Sequence, residues 1–264
     1  SGPLDVLLHS PGGSPTATES VVALLRSKFN PIRFIVPNVA KSAATMLALS
    51  GNEILMSPSG ELGPIDPQML INREGRTIIA PAQAILDQFN SAAAEISADP
   101  QKMAVWLPML RDLGPSLLQD CRDAIDLSKV LVRTWLQDYM LQGDPQAAQK
   151  ADVVANYLGN HNNFKSHARR VDIKDLSNLG AGLKISDLGA PTAPTGLLTA
   201  VTDAYLAIDI TFGNIIHIRL PRENISGAIH LYAETCGMLV EHVQCLLPYR
   251  CYRPSHSCPG FYGV

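Results

Sequence analysis

The sequence predicts an α/β fold built of stacked βαβ units with a helical extension. Short apolar runs at 4–9, 32–37 and 53–56 are typical of buried strands. A stretch with one apolar side, 15–28, lies between the first two runs and predicts a helix. Strand, helix and strand in this order make a parallel crossover unit. From about residue 81 to 158 the pattern becomes helical.

The other elements follow from local composition. A short helix of small and apolar residues is predicted at 42–50, a proline- and glycine-rich ordered loop at 57–68, and a strand at 77–80. Helices are predicted at 82–96, 103–113, 117–140, 145–158, 172–176 and 195–211, with a loop region at 180–194. We therefore divide the chain into an α/β core (1–80), a helical extension with the remainder of the same domain (81–226), and a tail predicted to be poorly ordered (227–264).

Composition excludes several classes of function. The 264 residues are 46% hydrophobic, enough for a sizeable core, and the net charge of −3 argues against a nucleic-acid-binding surface. No apolar run reaches the roughly 18 residues of a membrane-spanning helix. Because the chain opens almost directly on a strand, we expect upstream residues to be missing, and a membrane anchor could have been among them. The expected location is cytoplasmic or membrane-peripheral.

The five cysteines do not predict a metal site. Cys121 stands alone, whereas Cys236, Cys245, Cys251 and Cys258 crowd the C-terminus without any C-x-x-C pair. We predict free thiols in a reducing compartment, no metal and no cofactor.

Two motifs carry the chemistry. Ser10-Pro11-Gly12-Gly13 follows the first strand, and Ser42 follows the second strand, where it opens the small-residue helix. Glycines let backbone amides approach a reacting carbonyl closely, and a helix start adds further free N–H groups. The pattern favours acyl-transfer chemistry. The alternative for Ser42 is an ordinary helix N-cap.

These motifs, with Lys41-Ser42-Ala43-Ala44-Thr45-Met46 and the segment 60–68, resemble the Clp-protease/crotonase superfamily. They are similar in particular to the signal-peptide-peptidase-like serine proteases of the serine dehydrogenase proteinase family. The resemblance implies a Clp/crotonase-like fold, a peptide or protein substrate, and Ser42 as the nucleophile. It also implies the backbone N–H groups of Gly13 and Ala43 as donors to the oxyanion.

The resemblance leaves the general base open. Clp proteases carry a histidine in the region that here reads Pro64-Ile65-Asp66-Pro67-Gln68, which contains none. The chain therefore leans toward the Ser-Lys pattern of the signal-peptide-peptidase-like enzymes. Lys102 is the first lysine after Ser42, and a Ser42–Lys102 dyad is the prediction. Lys41 is disfavoured because adjacent side chains on a helix do not face each other.

Three polar residues offer an alternative to the lysine. His161 and His167 could serve as the base, since imidazole titrates near neutrality, or could bind an anion or belong to a polar surface loop. Asp66 could orient such a base, although an Asx-type turn is the preferred interpretation.

Three functions compete at this stage. The leading hypothesis is a serine peptidase of signal-peptide-peptidase type acting through a Ser42 acyl-enzyme. The others are a crotonase-type acyl-CoA enzyme, which would use the paired amides without Ser42, and a non-catalytic oligomeric scaffold. A homo-oligomer is also predicted, with the helical region 81–158 supplying much of the contact surface, because the stretch 103–110 within it is strongly apolar.

Overall fold

A computed structural model describes residues 2–73, 76–110, 116–213, 228–233 and 241–245. The strands are β1 (Gly2–His9), β2 (Phe29–Val36), β3 (Val39–Ala40), β4 (Glu53–Met56), β5 (Glu61–Leu62), β6 (Gln68–Arg73), β7 (Arg76–Pro81), β8 (Ile185–Asp187), β9 (Ala228–Ala233) and β10 (Glu241–Cys245). The helices are α1 (Pro15–Lys28), α2 (Ala43–Leu49), α3 (Ala82–Ala98), α4 (Met103–Leu110), α5 (Leu117–Trp135), α6 (Ala147–Gly159), α7 (His161–Phe164), α8 (Ile173–Ser177) and α9 (Leu197–Gly213). A 3-10 turn (Pro100–Lys102) precedes α4, and a π-helical turn (Leu136–Met140) follows α5.

A mainly parallel sheet forms the centre of the fold. Its strand order is β10-β9-β1-β2-β4-β8, and all neighbours run parallel except β10, which is antiparallel to β9. The strands β3 and β5 form a small parallel pair, and β6 and β7 form an antiparallel hairpin. Because parallel strands need crossover connections, this arrangement confirms the predicted α/β fold.

Both faces of the sheet are covered, which explains why its strands read as continuous apolar runs. Successive side chains of a strand point to opposite faces. Leu4, Val6 and Leu8 enter the main core beneath α1, α2, α5 and α6. Leu7 faces the other side, where buried residues of α9, among them Val201, complete a second core.

Local signals set the bounds of the first helix. Ser14 caps α1 by accepting a hydrogen bond from the amide of Ala17, and Pro15 occupies the first helical position. The observed bounds, Pro15–Lys28, are those predicted from the sequence.

Six strands of the described ranges lie where no strand was predicted: β3, β5, β6, β8, β9 and β10. β5 falls inside the predicted 57–68 loop, and β8 inside the 180–194 loop region. β9 lies in the tail and pairs with β1, and with β10 it accounts for everything the structure describes beyond residue 213. The rest of the tail, with the side chains of the four C-terminal cysteines, lies outside the described residues.

Within the described ranges, histidine, cysteine and acidic side chains do not come together in groups of three or more that could hold a metal ion. Cys121 is a buried free thiol, and burial raises its pKa. None of the helices in this part of the chain combines the length and hydropathy that a bilayer crossing needs.

Candidate active site

The glycine motif and the serine motif meet, as the sequence predicted. Gly12 has a φ of +117°, and a Cβ on it would lie 2.7 Å from the Ser42 Cβ and 2.8 Å from the Lys41 carbonyl oxygen. Only glycine fits this position, both for its backbone conformation and for the space available. The loop is further held by hydrogen bonds from the Ser10 amide to Val39 O (2.8 Å) and from the Lys41 amide to Ser10 O (3.0 Å).

Ser42 has an unusual backbone. Its φ of 54° and ψ of −123° place a non-glycine residue in a sparsely populated region, directly before α2. Its side chain makes no capping hydrogen bond to the helix, so the alternative of an ordinary N-cap serine does not hold. The residue is half-buried, and its hydroxyl forms no hydrogen bond with any residue that the structure describes. Strained positions of this kind cluster at functional sites.

The two predicted oxyanion donors have free amides. Over the described ranges, neither the Gly13 nor the Ala43 backbone N–H donates a hydrogen bond. The next amide of the helix, that of Ala44, is already bound to Lys41 O at 2.9 Å. The two amides belong to the residues that directly follow Gly12 and Ser42, the two residues in contact.

Lys102 lies on the surface. Its side chain is 48% exposed, and its Nζ is 3.3 Å from Glu95 Oε2. The indole of Trp106 donates to the same carboxylate at 3.2 Å. This indole hydrogen bond, and after it Lys102, lower the pKa of Glu95. Among the described contacts, none joins Lys102 to Ser42, so the structure does not show the predicted dyad.

Lys41 is occupied by other partners. Its Nζ lies 2.9 Å from Glu61 Oε1 and donates to the carbonyl oxygen of Ala168 at 2.6 Å. Its aliphatic chain runs over Gly63, where a Cβ would come within 3.3 Å of three Lys41 carbons. An ion-paired ammonium is a poor base, which agrees with the prediction from sequence.

Asp66 joins both candidate histidines. It is 2% exposed, and its Oδ2 and Oδ1 lie 2.8 Å from His161 Nδ1 and 2.7 Å from His167 Nδ1. The side chain of Gln68 donates to Oδ2 at 3.1 Å. The preferred interpretation of Asp66 as an Asx-turn residue is therefore wrong, because both carboxylate oxygens bind side chains from a distant segment.

Backbone pairing holds the histidine segment in place. Val171 and Leu62 exchange two hydrogen bonds of 3.0 Å, and the Ile65 amide donates to Leu158 O at 2.9 Å. Asn160 caps α7 through the amide of Asn162. These contacts attach the segment at both ends to the residues around Asp66. The sequence marks His161 and His167 by residue type alone, and no pattern in it predicts their contact with Asp66.

A third histidine, His9, ends β1 next to the glycine motif. Burial lowers its pKa, although Asp209 acts in the opposite direction. Its Nδ1 accepts a hydrogen bond from the Val39 amide at 3.4 Å, and its ring packs on Tyr205 with centroids 5.0 Å apart. Through these contacts the imidazole of His9 packs between the Val39 amide and the Tyr205 ring of α9.

The chain is similar to a protein family and to two proteins of one archaeon. A family model described as ClpP-like SDH-type serine proteinase matches residues 1–142. An uncharacterized protein of Methanocaldococcus jannaschii is 30% identical over 158 residues, 58% of this chain and 54% of that protein. A second protein of that organism is 29% identical over 149 residues, 53% of this chain and 48% of its own length. The chain thus spans about half the length of these curated relatives.

Two solved structures are distantly similar. A serine-to-alanine variant of the 1510-N membrane-bound stomatin-specific protease has a TM-score of 0.37 and 17% identity, covering 70% of this chain and 63% of that one. A lysine-to-alanine variant of that protease in complex with a substrate peptide has a TM-score of 0.38 and 16% identity, covering 89% and 78%. Likeness at this level says nothing about the site. The family match spans more than half of the sequence, and the chain therefore belongs to the ClpP-like SDH-type serine proteinases, with their Clp-like α/β fold.

Proposed function

We propose that the chain is a serine peptidase that hydrolyses peptide bonds through an acyl-enzyme on Ser42. One observation carries the proposal: Ser42 is strained, half-buried and in contact with Gly12, and within the described part of the chain neither its hydroxyl nor the amides of Gly13 and Ala43 form a hydrogen bond. Family membership supports the same class of chemistry.

The proposal gives each group of the site a role. Ser42 Oγ attacks the carbonyl carbon of the scissile bond, and the carbonyl oxygen becomes an oxyanion. The N–H groups of Gly13 and Ala43 donate to it, and the loss of one such donor typically lowers the rate about 100- to 1,000-fold. Water then releases the acyl group from Ser42.

The signal-peptide-peptidase form of the proposal uses Lys102 as the base. That role requires the Lys102 ammonium to leave Glu95, lose its proton and reach Ser42 from an exposed position. The acyl-enzyme proposal does not depend on this assignment, because activation of the hydroxyl can come from another group.

Covalent labelling tests the nucleophile. We expect a fluorescent fluorophosphonate to label the wild-type chain on Ser42, as mapped by mass spectrometry, and Ser42→Ala to abolish labelling. Ser116→Ala is the matched control, since Ser116 also precedes a helix but has ordinary helical backbone and donates to Asp120 at 2.9 Å. A wild-type chain that is not labelled on Ser42 would contradict the proposal and leave the crotonase-type enzyme or the scaffold.

A substitution at Gly12 tests the close contact between Gly12 and Ser42. Gly12→Ala puts a methyl group 2.7 Å from the Ser42 Cβ, so the loop or the serine must move. We expect Ser42 labelling to fall at least about 100-fold, by displacement of the adjacent Gly13 donor. Gly143→Ala is the control, because Gly143 also has a positive φ but its Cβ would meet nothing within 4 Å.

We also propose a homo-oligomer that uses the surface of α4 and the β6–β7 hairpin. Val105 and Met109 of α4 are exposed, as are Leu70 and Ile79 of the hairpin. Apolar side chains grouped in this way are typical of protein–protein contact surfaces.

A further inference from the structure

The two histidines on Asp66 have the orientation of a catalytic base. Each ring turns its Nδ1 to the carboxylate. A carboxylate only accepts, so Nδ1 is the donor to Asp66, and in the neutral form of either ring Nε2 is left as an acceptor. An acceptor Nε2 behind a carboxylate-bound Nδ1 is how the histidine of a serine triad takes the proton of its serine.

The cluster is physically linked to the neighbourhood of Ser42. Lys41, the residue before Ser42, donates to the carbonyl oxygen of Ala168, the residue after His167. On the other side of the same lysine, the Gly63 amide donates to Thr45 Oγ1 in α2 at 2.9 Å. The segment that carries Asp66 and the segment that carries His167 are therefore both tied to the start of the serine helix.

His167 is better placed than His161 for this task. The His167 side chain is 26% exposed, against 13% for His161. The residue after His167, Ala168, accepts a hydrogen bond from Lys41, which precedes Ser42. His161 is followed by Asn162, which donates to Asp87 of α3 at 3.1 Å, so its segment is tied to the helical extension.

We propose that His167, oriented by Asp66, is the general base for Ser42, and that His161 is a positioning residue that fixes the second carboxylate oxygen. This inference rests on the proposed serine peptidase function. The sequence lacks a histidine at the Clp-type position, and the distant segment brings two histidines to the aspartate that lies there.

The proton steps balance. As Ser42 Oγ bonds to the carbonyl carbon, its proton moves to His167 Nε2. The C–N bond then breaks, and the imidazolium gives this proton to the leaving amine nitrogen. In the second half, His167 takes a proton from water as the water oxygen attacks the ester, and returns it to Ser42 Oγ as the C–O bond breaks. Asp66 remains a carboxylate throughout and stabilises the imidazolium.

The proposal requires a contact that the ligand-free chain does not show. His167 Nε2 must come within hydrogen-bond distance of Ser42 Oγ when a carbonyl group fills the site. Catalytic hydrogen bonds often tighten only in the complex, and the free hydroxyl of Ser42 leaves the position open.

The test measures the rate of fluorophosphonate labelling on the full chain, with imidazole rescue. We expect His167→Ala to slow labelling of Ser42 by about 100-fold or more, and added imidazole to restore part of that rate. Asn162→Ala, in the same segment but bonded to Asp87, is the control and should label at the wild-type rate. Thermal unfolding of each variant checks the fold, and His167→Gln, which can still donate to Asp66, serves if His167→Ala unfolds.

The outcomes separate the two proposals. If wild-type Ser42 is not labelled, the proposed function fails and this inference with it. If Ser42 is labelled at the wild-type rate in folded His167→Ala or His167→Gln, only the base assignment fails. Rescue by imidazole in His161→Ala but not in His167→Ala would also overturn it, since the roles of the two rings would be exchanged.

Discussion

Two short apolar helices of this chain have opposite environments. All seven residues of α2 are buried, whereas α4, eight residues of even more apolar character, buries none. α2 lies inside the main core, and its Thr45 hydroxyl donates to Ala40 O at 2.7 Å. α4 follows the end of α3, is interrupted by Pro108, and is held there through Trp106 and Glu95.

The difference shows that apolar composition predicts a helix but not where the helix is buried. The position of α2 after a central strand of the sheet covers it on every side, and this rigid packing is what fixes the backbone of Ser42. Among the described residues, α4 has little cover, and most of its apolar side chains are exposed. The two helices should therefore respond differently to substitution.

The largest expected effect comes from truncation inside α2. Leu49 is fully buried, so Leu49→Ala should lower the free energy of unfolding by about 2–5 kcal/mol. The matched variant in α4 is Val105→Ala, whose side chain is 73% exposed and which should leave urea unfolding of the dissociated chain unchanged. Equal losses for the two variants under dissociating conditions would contradict the comparison, since the chain itself would then cover α4.

A smaller effect is expected at the polar cluster beside α2. Asp66→Asn removes the charge and one acceptor oxygen from the carboxylate that two imidazoles contact, and should lower the free energy of unfolding in urea by about 1–3 kcal/mol.

Glu95→Gln is the matched change beside α4. Because hydrogen bonds lower the pKa of Glu95 below its ordinary 4.5, its contribution is present above that value and is lost as the pH falls through the folded pKa. Because Glu95 is exposed, this contribution is small. Glu95→Gln should therefore shift the urea midpoint at neutral pH much less than Asp66→Asn does, and an equal shift would contradict the prediction.

Charge placed on α4 should affect assembly more than folding. We expect Val105→Asp to weaken self-association at least about tenfold in sedimentation velocity, with little change in thermal unfolding. Val153→Asp, at an exposed valine of α6, is the control. A wild-type chain that sediments as a monomer at all concentrations would contradict the proposed role of α4.

The smallest expected effect is that of Lys102→Ala. The side chain lies next to α4 with an exposed partner, so both stability and the rate of Ser42 labelling should stay at wild-type levels. A loss of labelling with an unchanged melting temperature would instead support the Ser42–Lys102 dyad and contradict His167 as the base.

Much of the α/β core could be predicted because its signals are local. The bounds of α1 and of β4 are those expected from apolar periodicity and from proline at the helix start. β8 was missed, since three residues show no periodicity and Ile185–Asp187 becomes a strand only by pairing with β4.

The candidate site divides in the same way. The contact of Gly12 with Ser42 was predictable, because the glycine motif follows the first predicted strand and Ser42 follows the second, and the two strands belong to one crossover unit. The partners of Asp66 were not, since they follow it by 95 and 101 residues and no periodic pattern records such a contact. The local sequence around Asp66 favoured an Asx turn. In the structure the carboxylate is instead buried against His161 and His167, which come from a distant segment.

The positive φ of Ser42 means that stability and the proposed chemistry favour different residues at this position. A non-glycine residue held in such a conformation costs on the order of 1–3 kcal/mol, and glycine would avoid most of that cost. Ser42→Gly should therefore have a free energy of unfolding at least as large as that of the parent chain, while lacking the hydroxyl of the proposed nucleophile.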